Sequence, residues 1–291
     1  MQFTNGNSLI SFSNDGTRTI EYEDKLELDQ PLNIDIRVST SCSFAETVCK
    51  GFCHESALKN GIDCDFSKLK EKLECIGPGI ELAIGCNRLT EDLIDFLKWA
   101  KGCDYICSIT INQGHVQRDL DNIRHCIQND YIKGLGISYR ASLKWGVPTD
   151  ILNYTNTVVH VIMGLDTLDN VATLSARGVR KILILGEKDF GFNAHKVDLN
   201  SPAHKQWNWH LPRLFSLFDV VSFDNLAVEQ LDLKRLVKGE MWNRVYNGEH
   251  SMYIDAAQEF YAQSSRSSNR VNWDQLSIKG YWNTIQERAC V

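Results

Sequence analysis

Seven short apolar runs, at 33–38, 80–84, 105–111, 134–138, 157–163, 180–185 and 219–223, recur along the chain with helix-length amphipathic segments between them. No other feature constrains the fold as much. Each return through a helix brings the next strand in pointing the same way, so such a chain builds a parallel sheet. The gaps carry helix punctuation of their own. Thr90 stands ahead of Glu91-Asp92-Leu93-Ile94, an N-cap followed by acids in the first turn, and Gly102 marks the far end. Asp166 and Gly178 bracket a second such segment, and Ser201-Pro202 reads as an N-cap with proline at the first helical position. Pro212 predicts a break in whatever begins there. The pattern predicts an α/β fold, a full or partial β/α barrel over residues 31–225, with ligands at the C-terminal strand ends.

Two flanking regions depart from that rhythm. Residues 1–30 hold Leu9-Ile10-Ser11-Phe12 and Thr19-Ile20-Glu21-Tyr22 around an Asp15-Gly16 pair, which predicts an N-terminal β-hairpin. Residues 226–291 predict a mostly helical extension packed on the barrel, with a short strand near Met252-Tyr253-Ile254. Trp207, Trp209, Trp242 and Trp282 read as apolar anchors for it, since no basic groove accompanies them as in a base-stacking platform. The net charge of −6, with no Lys/Arg block, leaves no footprint for duplex nucleic acid or an anionic membrane surface. No apolar run approaches a membrane span, and the first thirty residues lack the basic-then-apolar signature of a secretory signal. A cytoplasmic setting follows, in which the ten cysteines stay reduced and available for metal binding.

Three of those cysteines concentrate the chemistry. Cys42, Cys49 and Cys53 lie in the loop that leaves the first core strand. Thiolates are soft ligands suited to zinc and to iron-sulfur clusters. A structural zinc wants four protein ligands, for which His54 or Cys64 is the nearest fourth, whereas three thiolates on a 4Fe-4S cluster leave one iron open. Cys103 and Cys107 read as small core residues, as do Cys64, Cys75 and Cys126. Only Cys290 lies beyond position 126, which argues against a second cysteine-bound cluster.

These residues resemble the radical S-adenosylmethionine (radical SAM) superfamily, in which three cysteines after the first barrel strand hold a 4Fe-4S cluster. Phe52 precedes the last cysteine as that family's usual aromatic does, and Ile80-Glu81-Leu82-Ala83-Ile84-Gly85 occupies the place of its second strand. The stretches 181–186 and 221–227 are similar to those of an uncharacterised bacterial and phage subgroup. The cysteine spacing differs, with six and then three intervening residues in place of three and then two. Gly85-Cys86-Asn87 stands where the family has a Gly-Gly-Glu-like segment against the methionine amino group.

The resemblance implies a 4Fe-4S cluster on Cys42, Cys49 and Cys53, S-adenosylmethionine as cofactor, and a reductant such as flavodoxin or ferredoxin. It assigns Phe52, Gly85, Cys86 and Asn87 to the cofactor. Ser138 and Arg140 share a strand face, so they are expected to meet the ribose hydroxyls and the methionine carboxylate, with Gly164 near the adenine. Asn112, Glu187, Lys188 and Asp224 end other strands and are substrate-side candidates, while His115 reads as the start of a helix. The expected substrate is a small metabolite or a peptide, with the metabolite favoured because no separate leader-binding domain stands out. The competing expectations are a zinc-stabilised scaffold without chemistry and a protein that binds S-adenosylmethionine without cleaving it.

Overall fold

The computed structural model describes residues 1–14, 16–45, 47, 49, 53, 58–190, 197–237, 239, 242 and 249–289. Its strands are β1 (Gln2–Asn5), β2 (Ser8–Phe12), β3 (Arg18–Glu21), β4 (Asn33–Arg37), β5 (Glu81–Gly85), β6 (Ile106–Asn112), β7 (Gly134–Ser138), β8 (Thr157–Ile162), β9 (Lys181–Leu185), β10 (Val220–Phe223), β11 (Ser251–Asp255), β12 (Phe260–Ala262) and β13 (Val271–Asn272). The helices are α1 (Phe66–Leu73), α2 (Glu91–Gly102), α3 (Gln113–Val116), α4 (Leu120–Gln128), α5 (Thr149–Leu152), α6 (Leu168–Ala176), α7 (Pro202–His210), α8 (Asn225–Gln230) and α9 (Ile278–Ala289). Every expected core strand is present. β4 through β10 lie side by side in chain order and all parallel, as helical crossovers require.

Helix starts follow the local chemistry. Thr90 Oγ1 accepts from the Leu93 N–H, Ser201 Oγ from the His204 N–H and Thr167 Oγ1 from the Asn170 N–H. Pro212 ends α7 and begins a 3-10 turn over Leu211–Ser216. Helix-facing positions of the strands form one continuous apolar core, including Ile34, Ile36, Leu82, Ile84, Ile109 and Ile111.

Of the expected full or partial barrel, the full form is corrected, because the ten-stranded sheet runs from β10 to β13 without closing. The C-terminal segment is also less helical than expected, because β11 pairs parallel with β4 and β12 and β13 extend the sheet beyond it. The alternation in Ser251-Met252-Tyr253-Ile254-Asp255 accounts for this, with Met252 and Ile254 joining the core on one face while Tyr253 packs with Phe260 on the other. Trp207 and Trp282 are buried as expected, but Trp209 is 78% exposed and anchors nothing, and Cys75 is exposed rather than buried.

The N-terminal hairpin gains a third strand and forms its own sheet, β1-β2-β3. Ile10 and Phe12 pack on Leu32 and Ile106, at the N-terminal ends of β4 and β6, and Arg18 pairs with Glu81 at the start of β5. That end of the sheet is therefore covered, and the C-terminal ends are the mouth.

Candidate functional site

The cysteine loop is tied at its base to a returning segment. Cys42 N–H donates to Leu58 O, Thr40 N–H to Ile62 O, and Ser39 Oγ to Asp63. Gly61 makes this approach possible, since a Cβ there would lie 2.4 Å from the Ser41 nitrogen. Asn87, two residues past β5, donates its side-chain amide to Ser41 O and so fixes the loop to the neighbouring strand. Within the loop, Cys49 N–H donates to Phe44 O and Cys53 N–H to Cys49 O.

The three thiols are electrostatic neighbours. Burial, joined by the charges of Cys53 and Cys42 and opposed by Arg140, pushes Cys49 up to about 12. Burial also raises Cys42, against the pull of the Phe44 N–H and the Arg118 guanidinium. Thiols held in this way keep their protons until a cation takes their place, as metal ligation does. Among the described residues no group of three or more His, Cys, Asp or Glu side chains is arranged to hold a metal ion. All nine described cysteines are free of disulfides.

The sheet face opposite the helices supplies the floor. In register across the strands stand Asp255, Arg37, Gly85, Thr110, Gly136 and Val158, and one step nearer the mouth Asn112, Ser138, His160 and Leu183. Small and polar residues thus dominate from β5 to β7. Gly136 is needed there, since a Cβ would sit 2.6 Å from Thr110 Oγ1 and 2.7 Å from the His160 ring. Towards β9 the same face turns apolar, with Ile162, Leu183 and Leu185 all partly exposed.

Arg140 sits two residues beyond β7, pairs with Asp166 at 3.3 Å, and receives its main-chain position from Gln113, whose Oε1 accepts the Arg140 N–H. Asp166 is buried, accepts the Ala141 N–H, and its carbonyl takes the Trp207 indole N–H. Burial nonetheless pushes its carboxyl up, beyond what the Ala141 N–H and Arg140 recover.

The fold resembles that of SuiB. This protein of Streptococcus suis, bound to the precursor peptide SuiA, superposes with a TM-score of 0.58 at 14% identity over 88% of this chain and 65% of SuiB. SuiB bound to S-adenosylmethionine gives 0.57 at 13% identity, over 88% of this chain and 66% of SuiB. The chain therefore spans less than two thirds of SuiB, and at this identity the likeness concerns the fold. No protein-family model matches the chain, and no curated protein matches it in sequence.

The remaining candidates separate by position. Gly85, Ser138 and Asn87 belong to the mouth beside the cysteine loop. Cys86 does not: it alternates to the helix side, lies in the core near Cys126 and is pushed up to about 12 by burial. Phe52 lies outside the described residues, as does His54. Asn112 caps α3 and Asp224 caps α8, where its Oδ1 accepts both the Ala227 and Gly186 N–H groups. Gly164, at φ +84, lies beneath His204 and Glu187, whose Nε2 and Oε2 are 3.2 Å apart. Lys188 reaches over the Phe190 ring.

Sequence reasoning missed His115, Arg118, Asp119 and Asp166 as members of this neighbourhood. Arg118 bonds Asp119 and the Asn87 carbonyl beside Cys42, and Asp119 accepts the Leu89 N–H. His115 was read only as a helix start, yet it is buried against Cys42, and burial lowers its ring to about 4. The Asn112-Gln113-Gly114-His115 turn at a strand end was the available signal.

Proposed function

We propose that this chain is a radical S-adenosylmethionine enzyme whose residues 31–225 carry a 4Fe-4S cluster on Cys42, Cys49 and Cys53. The carrying observation is that Cys49 lies close enough to Cys53, Cys42 and Arg140 to feel the charge of each, at the open mouth of the sheet. The donor set fits the group. Three soft sulfurs on a 4Fe-4S cluster would leave one iron open. When bound, the reduced cluster supplies the electron that breaks a carbon–sulfur bond of S-adenosylmethionine, the source of a 5'-deoxyadenosyl radical.

The chain's own groups bind and orient. Arg140, steadied by Asp166, offers a planar fork to the methionine carboxylate. Ser138, at the end of β7, would meet the ribose hydroxyls. Asn87 holds the loop in register. Ile162, Leu183 and Leu185 exclude water on the substrate side. Binding of SuiA by SuiB supports a peptide substrate over the small metabolite favoured by the sequence alone. Flavodoxin or ferredoxin is the proposed reductant.

The test is anaerobic purification with iron and sulfide quantification, then dithionite reduction and assay for 5'-deoxyadenosine. About four irons per chain with product formation supports the reading. Alanine at Cys42, Cys49 or Cys53 should abolish cluster retention while Cys103→Ala keeps it. One zinc and no iron after reconstitution would replace this proposal with a zinc-stabilised scaffold.

A further inference from the structure

His115 and Phe44 enclose one sulfur. The His115 Nε2 stands 3.7 Å from Cys42 Sγ, and the Phe44 N–H donates to the same sulfur at 3.4 Å. The two rings stack, with centroids 4.2 Å apart and planes 7° from parallel. Gly114 permits that stack, because a Cβ there would lie 2.7 Å from the Phe44 ring. His115 itself is 3% exposed, and α3 places it through the Asn112 cap at the end of β6. Four separate features thus aim one imidazole nitrogen at one thiol.

From this geometry, and resting on the assignment of Cys42 as a cluster ligand, we infer that His115 is a positioning residue whose Nε2–H donates to the Cys42 thiolate and raises the reduction potential of the cluster. A thiolate on iron has no proton to give, so the hydrogen between the two atoms belongs to the ring. Hydrogen bonds to ligand sulfurs favour the more negatively charged, reduced form. The stack on Phe44 holds the ring plane so that Nε2 keeps facing the sulfur, and the Phe44 N–H supplies a second donor that the side-chain variants leave in place.

Two variants separate donor from stack. His115→Phe keeps a ring against Phe44 and removes the N–H, whereas His115→Gln keeps an N–H donor and removes the ring. Both are compared with the wild-type protein by circular dichroism, iron content, and redox titration followed by the electron paramagnetic resonance signal of the reduced cluster. In His115→Phe the iron content should hold while the reduced-to-oxidised ratio at a fixed potential falls about tenfold, equivalent to about 59 mV for one electron. His115→Gln should recover at least half of that change.

An unchanged potential in His115→Phe overturns the inference, as does equal behaviour of the two variants. Iron loss in both, with the fold intact, also overturns it by making His115 a ligand rather than a donor. A wild-type protein without a four-iron cluster overturns the proposed function and this inference together. A loaded wild-type protein with an unmoved potential in His115→Phe sinks this inference alone.

Discussion

Removal of the Asp255 carboxylate should cost more stability than any other single polar change near the mouth. Asp255 and Arg37 face each other in register on β11 and β4, and their side chains are only 1% and 8% exposed. Arg37 also donates to Gln258 Oε1 at 2.8 Å, and the Gln258 N–H donates to Asp255 Oδ1 at 3.0 Å. Burial pushes the Asp255 carboxyl upward despite Arg37, so desolvation outweighs the attraction of the pair. Such a pair adds little net stability, but stripping one partner leaves a buried charge without its counter-ion. Asp255→Ala is therefore expected to lose about 3–5 kcal/mol. At about 2 °C per kcal/mol for a chain of this length, the melting midpoint should fall by about 6–10 °C. Arg37→Met combined with Asp255→Leu should return most of that loss. The assay is urea unfolding of the apoprotein for the wild type, Asp255→Ala, and the Arg37→Met and Asp255→Leu variants singly and combined, the last three closed with the wild type as a double-mutant cycle. A loss below about 1 kcal/mol in Asp255→Ala would place the pair with exposed ion pairs and refute the reasoning. So would a double variant as unstable as the single one. The pH dependence has a fixed sign: a carboxyl raised in the folded state contributes stability below its unfolded pKa and loses it as pH rises through the folded value. The double variant should lack that slope.

Other outcomes follow from the same contacts. Arg140→Ala should leave iron content unchanged and weaken S-adenosylmethionine binding at least about tenfold by calorimetry, the cost of one charge-assisted contact; unchanged affinity would remove Arg140 from that role. Gly136→Val places a branched side chain against Thr110 and His160 and should cost about 1–3 kcal/mol in urea unfolding, an effect absent if the inner face has spare room. Burial holds the His250 ring below the ordinary histidine range, so the folded state resists its protonation. Stability from that site should be intact above about pH 6.5 and decline as pH falls towards the lowered value. His250→Gln should flatten that part of the pH-stability curve.

The strands were legible because their helix-facing positions repeat Ile, Leu and Val at a period of two, and burial depends on little else. The position of the cysteine loop, at the mouth after the first core strand, was legible because the strand that precedes it was. The open sheet was not legible: seven parallel strands with crossovers satisfy the same local rules whether or not the ends meet, and the true edge was extended by β11. That strand joins β4 from more than two hundred residues away, a pairing that no periodicity reveals. Arg140 was found by strand alternation, whereas its partner Asp166 was read as a helix bracket, because a sequence does not display which loops share a mouth. Cys86 failed for the opposite reason. It stands at a strand end, but on the parity that points into the core, and alternation applied one residue further would have excluded it.

Charge ties the loops of the mouth together. Each thiolate brought to a metal centre adds a negative charge to a chain already at −6. Arg118 and Arg140 lower the cost of ionising Cys42 and Cys49 respectively, two thiols whose ionisation burial opposes. Both guanidinium groups are themselves held by acids, Asp119 and Asp166, on the loops after β6 and β8. The acids therefore fix the bases in place, and the bases remain within reach of the sulfurs. An arginine free to swing would spend much of its time in water, where screening weakens its pull. Anchoring it beside a buried thiol keeps that pull in a medium of lower dielectric, where each contact shifts the balance between thiol and thiolate more strongly.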